Sequence, residues 1–268
     1  MNRRHFFQKL SLVGAPLLAL PMLSFENRVF PKTGRLKFIT ASDGHWGQPG
    51  TDYEVAHREL IEAIHREKDV DFVLFNGDLI HDDATLLPEV KGIYDQLQVP
   101  YYLARGNHDR VSEAEFFRIM GQPTNHAFPV GDDMGAIILD CSNEKGEYRC
   151  VDLDLAKTFL DEYADLSHVF VFVHISQNDW TRHGIDCKPL LDLLASYPAV
   201  RATFHGHDHD VDGQMIYRGK PFLWSGHFGG SWGNPFPSYR VCEVDASGKA
   251  STYLKTIREG VILNAHSL

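Results

Sequence analysis

Short apolar runs alternate with amphipathic segments along the first two thirds of the chain. Runs that are apolar throughout are typical of strands covered on both faces, whereas apolar residues at helical spacing are typical of helices that pack one face on a core. The strand-like runs are residues 36–42, 72–76, 101–105, 136–139, 169–173 and 202–204. The helix-like segments are residues 53–68, 88–97, 113–120, 155–163 and 190–194. This alternation predicts an α/β fold with helices outside a sheet.

The pattern changes after residue 209. Strand-like runs at residues 214–217, 221–224, 239–244 and 251–255 follow one another with turns rich in Gly, Pro, Asp and Asn, and no helical segment lies between them. This arrangement predicts a more antiparallel C-terminal sheet that joins the first. No linker-like stretch divides the chain, so a single domain is predicted over residues 35–258.

Five of the strand-like runs end in residue types that bind divalent cations. These ends are Asp43-Gly44-His45, Gly77-Asp78, Gly106-Asn107-His108-Asp109, His174 and His205-Gly206-His207-Asp208-His209. Ligands of open α/β sheets bind beyond the carboxyl ends of the strands. The five ends therefore predict one polar site along one edge of the sheet.

The donor types at this predicted site favour two transition-metal ions. The seven candidate ligands are Asp43, His45, Asp78, Asn107, His174, His207 and His209. Imidazole and carboxylate donors without thiolates suit zinc, iron or manganese. Because seven ligands exceed the coordination of one tetrahedral ion, two ions that share a carboxylate are the simplest interpretation, and Asp78 is the natural bridge. Two ions about 3.5–4 Å apart can bind a phosphoryl group and ionise a water.

Each candidate ligand also has an ordinary structural interpretation. An aspartate after a strand often caps the following helix, which would explain Asp43 and Asp78. A single histidine such as His174 is more often a core or loop residue than a ligand, and His207 and His209 could be surface residues at a strand end. A metal site is favoured because all of these alternatives would have to hold together.

The same motifs, in this order and over nearly the whole chain after the N-terminal segment, resemble those of the calcineurin-like metallophosphoesterases. The resemblance implies a four-layer α/β/β/α sandwich with the site at the C-terminal ends of the strands. It implies a hydrolase of phosphoric esters, acting through metal-bound hydroxide on small phosphomonoesters or phosphodiesters, with nucleotides among the candidates. One ion would be held by Asp43, His45, Asp78 and His209, and the second by Asp78, Asn107, His174 and His207. His108 would lie beside the phosphate as the catalytic histidine.

One position departs from the family pattern. Many members carry an aspartate three residues after the bridging aspartate, where it orients the catalytic histidine. This chain has His81 at that position and Asp82 next to it. His81 is therefore predicted to help hold His108 through a hydrogen bond, and the identity of the orienting group stays open between His81 and Asp82.

Residues that flank the motifs are assigned more modest roles. Asp109 is predicted to stabilise its loop by hydrogen bonding rather than to take part in chemistry. Arg105 and His205 are candidates for substrate contact, although a strand-end position facing solvent is favoured. The glycine-rich segment 226–233 could provide a substrate wall in which Trp232 or Phe228 stacks on a base, and core packing explains it equally well. Trp180 and His183 are candidates for the rim of the pocket.

The N-terminus is predicted to be an export signal. Arg3-Arg4 precedes Phe6-Phe7 and an apolar run at residues 10–23 that contains two prolines and no acidic residue. A basic segment followed by a short apolar one is typical of signal peptides, and the paired arginines resemble the twin-arginine type. Residues 1–24 are therefore predicted to engage the export machinery and direct the protein to the periplasm. Because no small-x-small cleavage site is obvious, the segment could remain as an anchor on the outer side of the inner membrane. The alternative is a frayed N-terminus on a cytosolic protein.

Charge narrows the choice of substrate. The formal net charge of −10 argues against a broad nucleic-acid-binding surface, and two cations among acidic residues favour a small anionic substrate. A nuclease-like phosphodiesterase is the alternative enzyme, suggested by His81 alone. A catalytically silent metal-binding protein of the same fold is the alternative outside enzymes. The oligomeric state is left open.

Four cysteines, Cys141, Cys150, Cys187 and Cys242, allow three complete pairings. Export would permit disulfides. Cys141 and Cys150 flank a polar stretch that could close as a hairpin-like loop, and Cys242 lies in a strand-like run where a buried apolar role is favoured. None of the four has the spacing of a metal site.

Overall fold

The computed structural model describes residues 34–268. The signal peptide predicted at residues 1–24 lies outside the described residues. The strands are β1 (Leu36–Ala41), β2 (Phe72–Asn76), β3 (Tyr101–Ala104), β4 (His126–Val130), β5 (Met134–Ile138), β6 (His168–Phe172), β7 (Val200–His205), β8 (Gln214–Tyr217), β9 (Lys220–Trp224), β10 (Ser238–Val244), β11 (Ala250–Thr256) and β12 (Ile262–Ser267). The helices are α1 (Tyr53–Arg66), α2 (Leu87–Tyr94), α3 (Glu113–Met120), α4 (Leu153–Glu162) and α5 (Lys188–Ser196). Within residues 34–268 no helix has the length and apolar character needed to cross a membrane.

The strands form two six-stranded mixed sheets. The first has the order β12-β11-β10-β1-β2-β3 and the second the order β4-β5-β6-β7-β9-β8. One apolar cluster lies between the two sheets, a second packs α1, α2 and α3 on the first sheet, and a third packs α4 and α5 on the second sheet. The predicted four-layer α/β/β/α sandwich is confirmed.

The continuous apolar character of β1 follows from this layering. Phe38 belongs to the cluster between the sheets, where its ring lies 5.0 Å from that of Phe72 and 5.1 Å from that of Phe170. Ile39 and Ala41 point the other way, into the cluster under the helices. Since successive side chains of a strand point to opposite faces, a strand covered on both faces needs apolar residues at every position.

Helix ends are set by local capping. The Ser112 side chain accepts a hydrogen bond from Glu115 N at the start of α3, and Gly121 ends that helix in the left-handed conformation at φ 75°. The predicted bounds of 113–120 are therefore confirmed. The Asp152 side chain caps α4 in the same way, so α4 begins at Leu153, two residues before the predicted start.

The C-terminal strands do not form a sheet of their own, and this part of the prediction is wrong. β8 and β9 join the second sheet beside β7, whereas β10, β11 and β12 join the first sheet beside β1. β4 and β12 were not predicted. Both are edge strands; β4 contains Pro129, and β12 is mostly exposed with little apolar alternation. The sheet thus continues past residue 258, where the domain was predicted to end.

A disulfide joins Cys150 to Cys187, with the two Cα atoms 5.4 Å apart. Cys141 and Cys242 are buried free thiols, so the buried role of Cys242 is confirmed. The stretch between Cys141 and Cys150 closes as a hairpin-like loop, as expected, through an antiparallel bridge between Ser142 and Tyr148. Cys187 immediately precedes α5, which brings the loop after β6 against the segment that leads into α4.

Reduction of this disulfide is expected to lower the free energy of unfolding by about 3–4 kcal/mol, because the bond closes a loop in the unfolded chain. The bond spans 37 residues. Urea denaturation with and without reductant measures the difference. A Cys150→Ala/Cys187→Ala variant should match the reduced protein and show no further change with reductant. Equal stability of the oxidised and reduced wild type would contradict the expectation.

Candidate metal centre

The loops after β1, β2, β3, β6 and β7 bring the predicted ligands together at the carboxyl ends of these strands. Among the described residues, three groups of ligand-type atoms each lie within 4.8 Å of one another. One of them, His45, His81 and His108, includes two half-buried rings, and the other two contain six side chains that lie deeper. All six of these side chains are buried. Of these two buried groups, the first consists of Asp43, His45 and His209, and the second of Asp78, His174 and His207.

Both aspartates use one carboxylate oxygen to fasten the loops and direct the other into the site. Asp43 Oδ2 accepts a hydrogen bond from His207 N at 2.9 Å, and Asp78 Oδ1 accepts one from His108 N at 2.8 Å. Neither aspartate caps a helix. The helix-cap alternative for these two residues is therefore wrong.

The backbone of these loops is held in the left-handed region at several residues other than glycine. Asp43 has φ 62°, His45 46°, Asp78 52° and His207 66°. This region is unfavourable for residues with a Cβ, and such strain concentrates at functional sites where the surrounding structure holds it. The local conformation therefore serves the placement of the side chains.

The oxygens that face the site lie close to imidazole nitrogens. Asp43 Oδ1 is 3.2 Å from His209 Nε2, and Asp78 Oδ2 is 3.2 Å from His174 Nε2 and 3.7 Å from His45 Nε2. Asp78 Oδ2 thus lies between a histidine of the first group and a histidine of the second. This is the position that a shared carboxylate ligand requires.

Several of the facing atoms are buried without a hydrogen-bond partner among the described residues. They are Asp43 Oδ1, His174 Nε2 and His207 Nε2, and Asn107 Oδ1, in the loop after β3, is likewise buried without a partner. A buried polar atom without a partner is costly, and a group of them pointing to one place calls for a shared partner. Carboxylate, amide and imidazole donors of this kind match divalent zinc, iron or manganese. The residues present therefore fit a metal centre.

The pKa shifts of the histidines agree with this fit. Burial lowers the pKa of His45 to about 3 and that of His207 to about 3, so both imidazoles are neutral at physiological pH. For His174, burial alone would lower the pKa, but the carboxylates of Asp78 and Asp43 outweigh it and raise the pKa to about 10. His45 and His207 are thus neutral and able to bind a metal, and the two carboxylates stabilise a positive charge beside them.

Contacts outside the site fix the orientation of the ligand rings. His174 Nδ1 lies 2.6 Å from the carbonyl of Asn76, and His209 Nδ1 lies 3.2 Å from that of Trp232. These contacts assign Nδ1–H to each ring and leave Nε2 as the ligand atom. The glycine-rich segment is needed for close approach, because a Cβ on Gly230 would lie 2.2 Å from the His209 ring.

His108 lies beside the two groups and is oriented by Asp82. Its Nδ1 is 2.8 Å from Asp82 Oδ1, which also pairs with Arg110 Nε at 2.9 Å. His81 instead stacks on His108, with ring centroids 4.9 Å apart, and its Nδ1 lies 3.2 Å from His45 Nδ1. The predicted hydrogen bond from His81 to His108 is therefore wrong, and the orienting carboxylate is one residue later than in the family pattern.

A sequence model of the calcineurin-like phosphoesterases matches residues 36–211 of this chain. The chain belongs to the calcineurin-like phosphoesterase family. No curated protein sequence matches it significantly.

Solved structures extend the likeness of fold over most of the chain. A dimetal phosphatase from Danio rerio superposes with a TM-score of 0.69 at 13% identity, covering 87% of this chain and 98% of that one. A purple acid phosphatase from yellow lupin (Lupinus luteus) seeds gives a TM-score of 0.64 at 13% identity, covering 89% of this chain and 55% of that one. The NAD nucleotidase of Haemophilus influenzae gives 0.52 at 11% identity, covering 86% and 53%. At these identities the likeness shows the fold alone.

In this calcineurin-like phosphoesterase the residues that flank the motifs belong to the scaffold. Arg105 is buried, pairs with Asp140, and donates to the carbonyl of Val111 at 2.6 Å. His205 is buried and lies 2.7 Å from the carbonyl of Val173. The expectation that Arg105 and His205 face solvent is wrong, and neither reaches the site.

Asp109 takes the loop-stabilising role that was predicted. Its carboxylate accepts hydrogen bonds from the backbone nitrogens of Leu79 at 2.8 Å, Ile80 at 3.1 Å and Gly106 at 2.6 Å. Burial and the neighbouring Asp78 raise the pKa of Asp109 to about 7. Asp109 thereby ties the loop after β2 to the loop after β3.

The rim of the site differs in part from the prediction. Phe228 is buried in the cluster under the helices. Trp180 is half-buried and packs against the cluster under α4 and α5, with its ring 5.0 Å from that of Phe222. His183 does lie at the rim, with its ring 5.9 Å from that of His207. Tyr148, which was not predicted, lies 4.8 Å from the same ring. No motif marks Tyr148, because its loop reaches the site only through the tertiary fold.

Proposed function

We propose that this protein is a dinuclear metal-dependent phosphoesterase that hydrolyses small phosphomonoesters or phosphodiesters. One observation carries the proposal: two groups of buried ligands share the space around Asp78 Oδ2, beside a histidine that is oriented by a carboxylate. When bound, two divalent ions supply positive charge for the phosphoryl oxygens and lower the pKa of a water molecule.

The chain's own residues divide into holders of the metal and one proton donor. The first ion would be held by Asp43, His45, Asp78 and His209, and the second by Asp78, Asn107, His174 and His207. His108 is the proton donor: with Nδ1 facing Asp82, its Nε2 is the remaining ring nitrogen that can protonate the leaving oxygen or stabilise phosphoryl charge.

A small substrate is favoured over a nucleic acid. The nuclease-like alternative was suggested by His81 alone. His81 contacts His45 and His108 within the site, so its presence has an explanation that requires no nucleic-acid substrate. The net charge of −10 opposes a long polyanion at the surface, whereas two bound dications against two aspartates would concentrate positive charge at one point. The two metals would be manganese, iron or zinc, in keeping with the donor set.

The test is turnover by the purified protein loaded with Mn²⁺, with p-nitrophenyl phosphate and bis-p-nitrophenyl phosphate as substrates. We expect metal-dependent hydrolysis of at least one of them, abolished by chelation and restored by added metal. Elemental analysis should find two metal ions per chain. Two bound ions without turnover of these esters or of a panel of mono-, di- and cyclic nucleotides would favour the silent metal-binding protein.

Metal binding is expected to release protons. A proton on His174, whose pKa is raised to about 10, must leave before Nε2 can bind a metal at neutral pH. Affinity of the chelator-treated protein for Mn²⁺ should therefore rise about tenfold per pH unit between pH 7 and 9 and level off as pH passes the pKa. Calorimetry in buffers of different ionisation enthalpy counts the protons.

The matched control for this titration is a His174→Ala variant, which should release about one proton fewer. His45 contributes none, since its pKa of about 3 leaves it neutral throughout this range. Metal affinity independent of pH between 7 and 9 would contradict the expectation.

We propose further that the protein is exported through the twin-arginine machinery and acts in the periplasm or anchored on the outer side of the inner membrane. Arg3-Arg4 and the following apolar run support this proposal, as does the Cys150–Cys187 disulfide, since structural disulfides persist in oxidising compartments. An Arg3→Lys/Arg4→Lys variant should accumulate in the cytoplasm, as measured by cell fractionation. Unchanged fractionation of the variant would contradict this route.

A further inference from the structure

Three side chains that the proposed chemistry does not use form an arc over two ligand histidines. Tyr148 meets the His207 ring edge-on at 4.8 Å. His183 lies 5.9 Å from His207 and 5.6 Å from Trp232. Trp232 stacks on His209 at 4.4 Å, with the two rings 11° from parallel. Tyr148, His183 and Trp232 are called the aromatic arc below.

The arc offers aromatic surface to solvent at the mouth of the site. Tyr148 is 41% exposed and Trp232 is 44% exposed, which is more than is usual for large aromatic side chains. Trp224, by contrast, is fully buried and Trp46 nearly so. His209 covers one face of the Trp232 ring, and the exposed remainder is open to a second planar group.

The loops that carry Tyr148 and His183 are joined by a disulfide and by side-chain hydrogen bonds. Tyr148 precedes Cys150 by two residues and His183 precedes Cys187 by four, so the disulfide joins their loops. Gln177 joins the two loops a second time. Its side chain accepts a hydrogen bond from Val151 N at 3.1 Å and donates one to the carbonyl of Arg149, the residue before Cys150, at 3.3 Å. A surface that is fixed before the substrate arrives loses less entropy on binding.

Both ends of the arc are also anchored to the metal loops. A Cβ on Gly146, in the Tyr148 loop, would lie 2.5 Å from the carbonyl oxygen of Asn107, so this loop packs directly on a ligand-bearing loop. At the other end, the carbonyl of Trp232 lies 3.2 Å from His209 Nδ1. The spacing between arc and metal centre is thereby set by backbone contacts.

We propose that the aromatic arc binds a planar aromatic group of the substrate, so that the protein acts on phosphoesters carrying such a group, as nucleotides do, in preference to simple sugar or alkyl phosphates. This inference rests on the proposed phosphoesterase function. Aromatic side chains stack on any nucleobase, because every base has a π-face. The arc lies over His207 and His209, one ligand of each proposed ion, so a bound ring is held next to the phosphate position.

The test compares adenosine 5′-monophosphate with ribose 5-phosphate, which differ in the base alone. Their competitive inhibition constants are measured against the p-nitrophenyl ester that the metal-loaded protein hydrolyses. We expect the adenosine compound to bind about tenfold tighter, as one stacking contact provides. Trp232→Ala and Tyr148→Ala should each reduce this ratio about threefold, whereas Tyr148→Phe should keep it. Phe117→Ala, which removes an exposed aromatic ring from α3, is the matched control and should leave the ratio unchanged.

A second measurement separates stacking from damage to the metal centre and from failure of the proposed function. Adenosine 5′-monophosphate should quench the tryptophan fluorescence of the wild type, ribose 5-phosphate should not, and Trp232→Phe should lose the change while metal content by elemental analysis stays the same. Equal inhibition constants for the two compounds, or a ratio unaffected by both alanine variants, would overturn the arc. Absence of ester hydrolysis would contradict the proposed function and not the aromatic arc. The fluorescence titration would then test by itself whether the arc binds a base.

Discussion

Replacement of Asp78 by asparagine is expected to lower kcat/KM about a thousandfold or more and to reduce the metal content below two ions per chain. Asp78 Oδ2 lies 3.2 Å from His174 Nε2 and 3.7 Å from His45 Nε2, between the two ligand groups. A carboxylate can bind two cations at once and partly neutralise both. The neutral amide of asparagine cannot bridge two cations in this way. Because a metal pair supplies several kcal/mol of transition-state stabilisation, its loss lowers kcat/KM steeply.

The variant is expected to fold, because the other Asp78 oxygen accepts from His108 N, and an amide oxygen can do the same. Its thermal unfolding should therefore resemble that of the wild type. Asp43→Asn is the informative comparison: Asp43 Oδ1 lies nearest His209, so this change should weaken the first ion more than the second. Asp161→Asn, on the exposed side of α4, is the control and should keep both activity and metal content. Two tightly bound ions in Asp78→Asn would refute the shared-ligand role.

The central strands of this fold could be predicted from the sequence because their environment is uniform. β2, covered on both faces, carries five buried residues in a row, and its bounds of Phe72–Asn76 were predicted correctly. The edge strands β4 and β12 lack this pattern, since one side of an edge strand has no pairing partner and its residues can be polar. The division of the C-terminal strands between two sheets could not be predicted, because long-range pairing leaves no local pattern.

The placement of the candidate ligands was predictable for a different reason. Asp43, Asp78, Asn107, His174 and His207 each follow an apolar strand, and parallel strands present their carboxyl ends at one edge. The contacts made by residues that flank the ligands were not predictable in this way. Arg105 directly follows β3 too, but its long side chain folds back to pair with Asp140 in the interior.

The choice between His81 and Asp82 shows how backbone geometry decides a role that spacing alone leaves open. Asp82 has φ 66°, a left-handed conformation, and its backbone nitrogen donates to the carbonyl of His108 at 2.9 Å. This turn brings the Asp82 carboxylate to His108 Nδ1. His81, one residue earlier, is left with its ring stacked on His108 and its Nδ1 near His45.

Replacement of His108 by alanine is expected to lower kcat by about a hundredfold to ten-thousandfold while both metal ions remain bound. General acid catalysis by a positioned side chain contributes a factor of this size. His108 is not part of the two buried ligand groups, and its contact with Asp78 is through the backbone nitrogen, which alanine retains. Loss of metal in this variant would show that His108 is a ligand instead.

Variants at Asp82 separate the orientation of His108 from its role in proton transfer. Asp82→Ala removes the only side-chain contact of His108 Nδ1 found among the described residues, so it should lower kcat by a smaller factor, on the order of tenfold. A His108→Ala/Asp82→Ala double variant should be no slower than His108→Ala alone, because orientation matters only while the imidazole is present.

His81→Ala is the matched change at the position where relatives carry the orienting aspartate. It leaves the hydrogen bond between His108 and Asp82 intact and removes the contact with His45 Nδ1, so its effect should appear as weaker binding of the first ion rather than as a lower kcat at saturating metal. Metal titrations of kcat for the three variants distinguish these outcomes. A fall in kcat at saturating metal for His81→Ala as large as that for His108→Ala would place His81, and not Asp82, in control of the catalytic histidine.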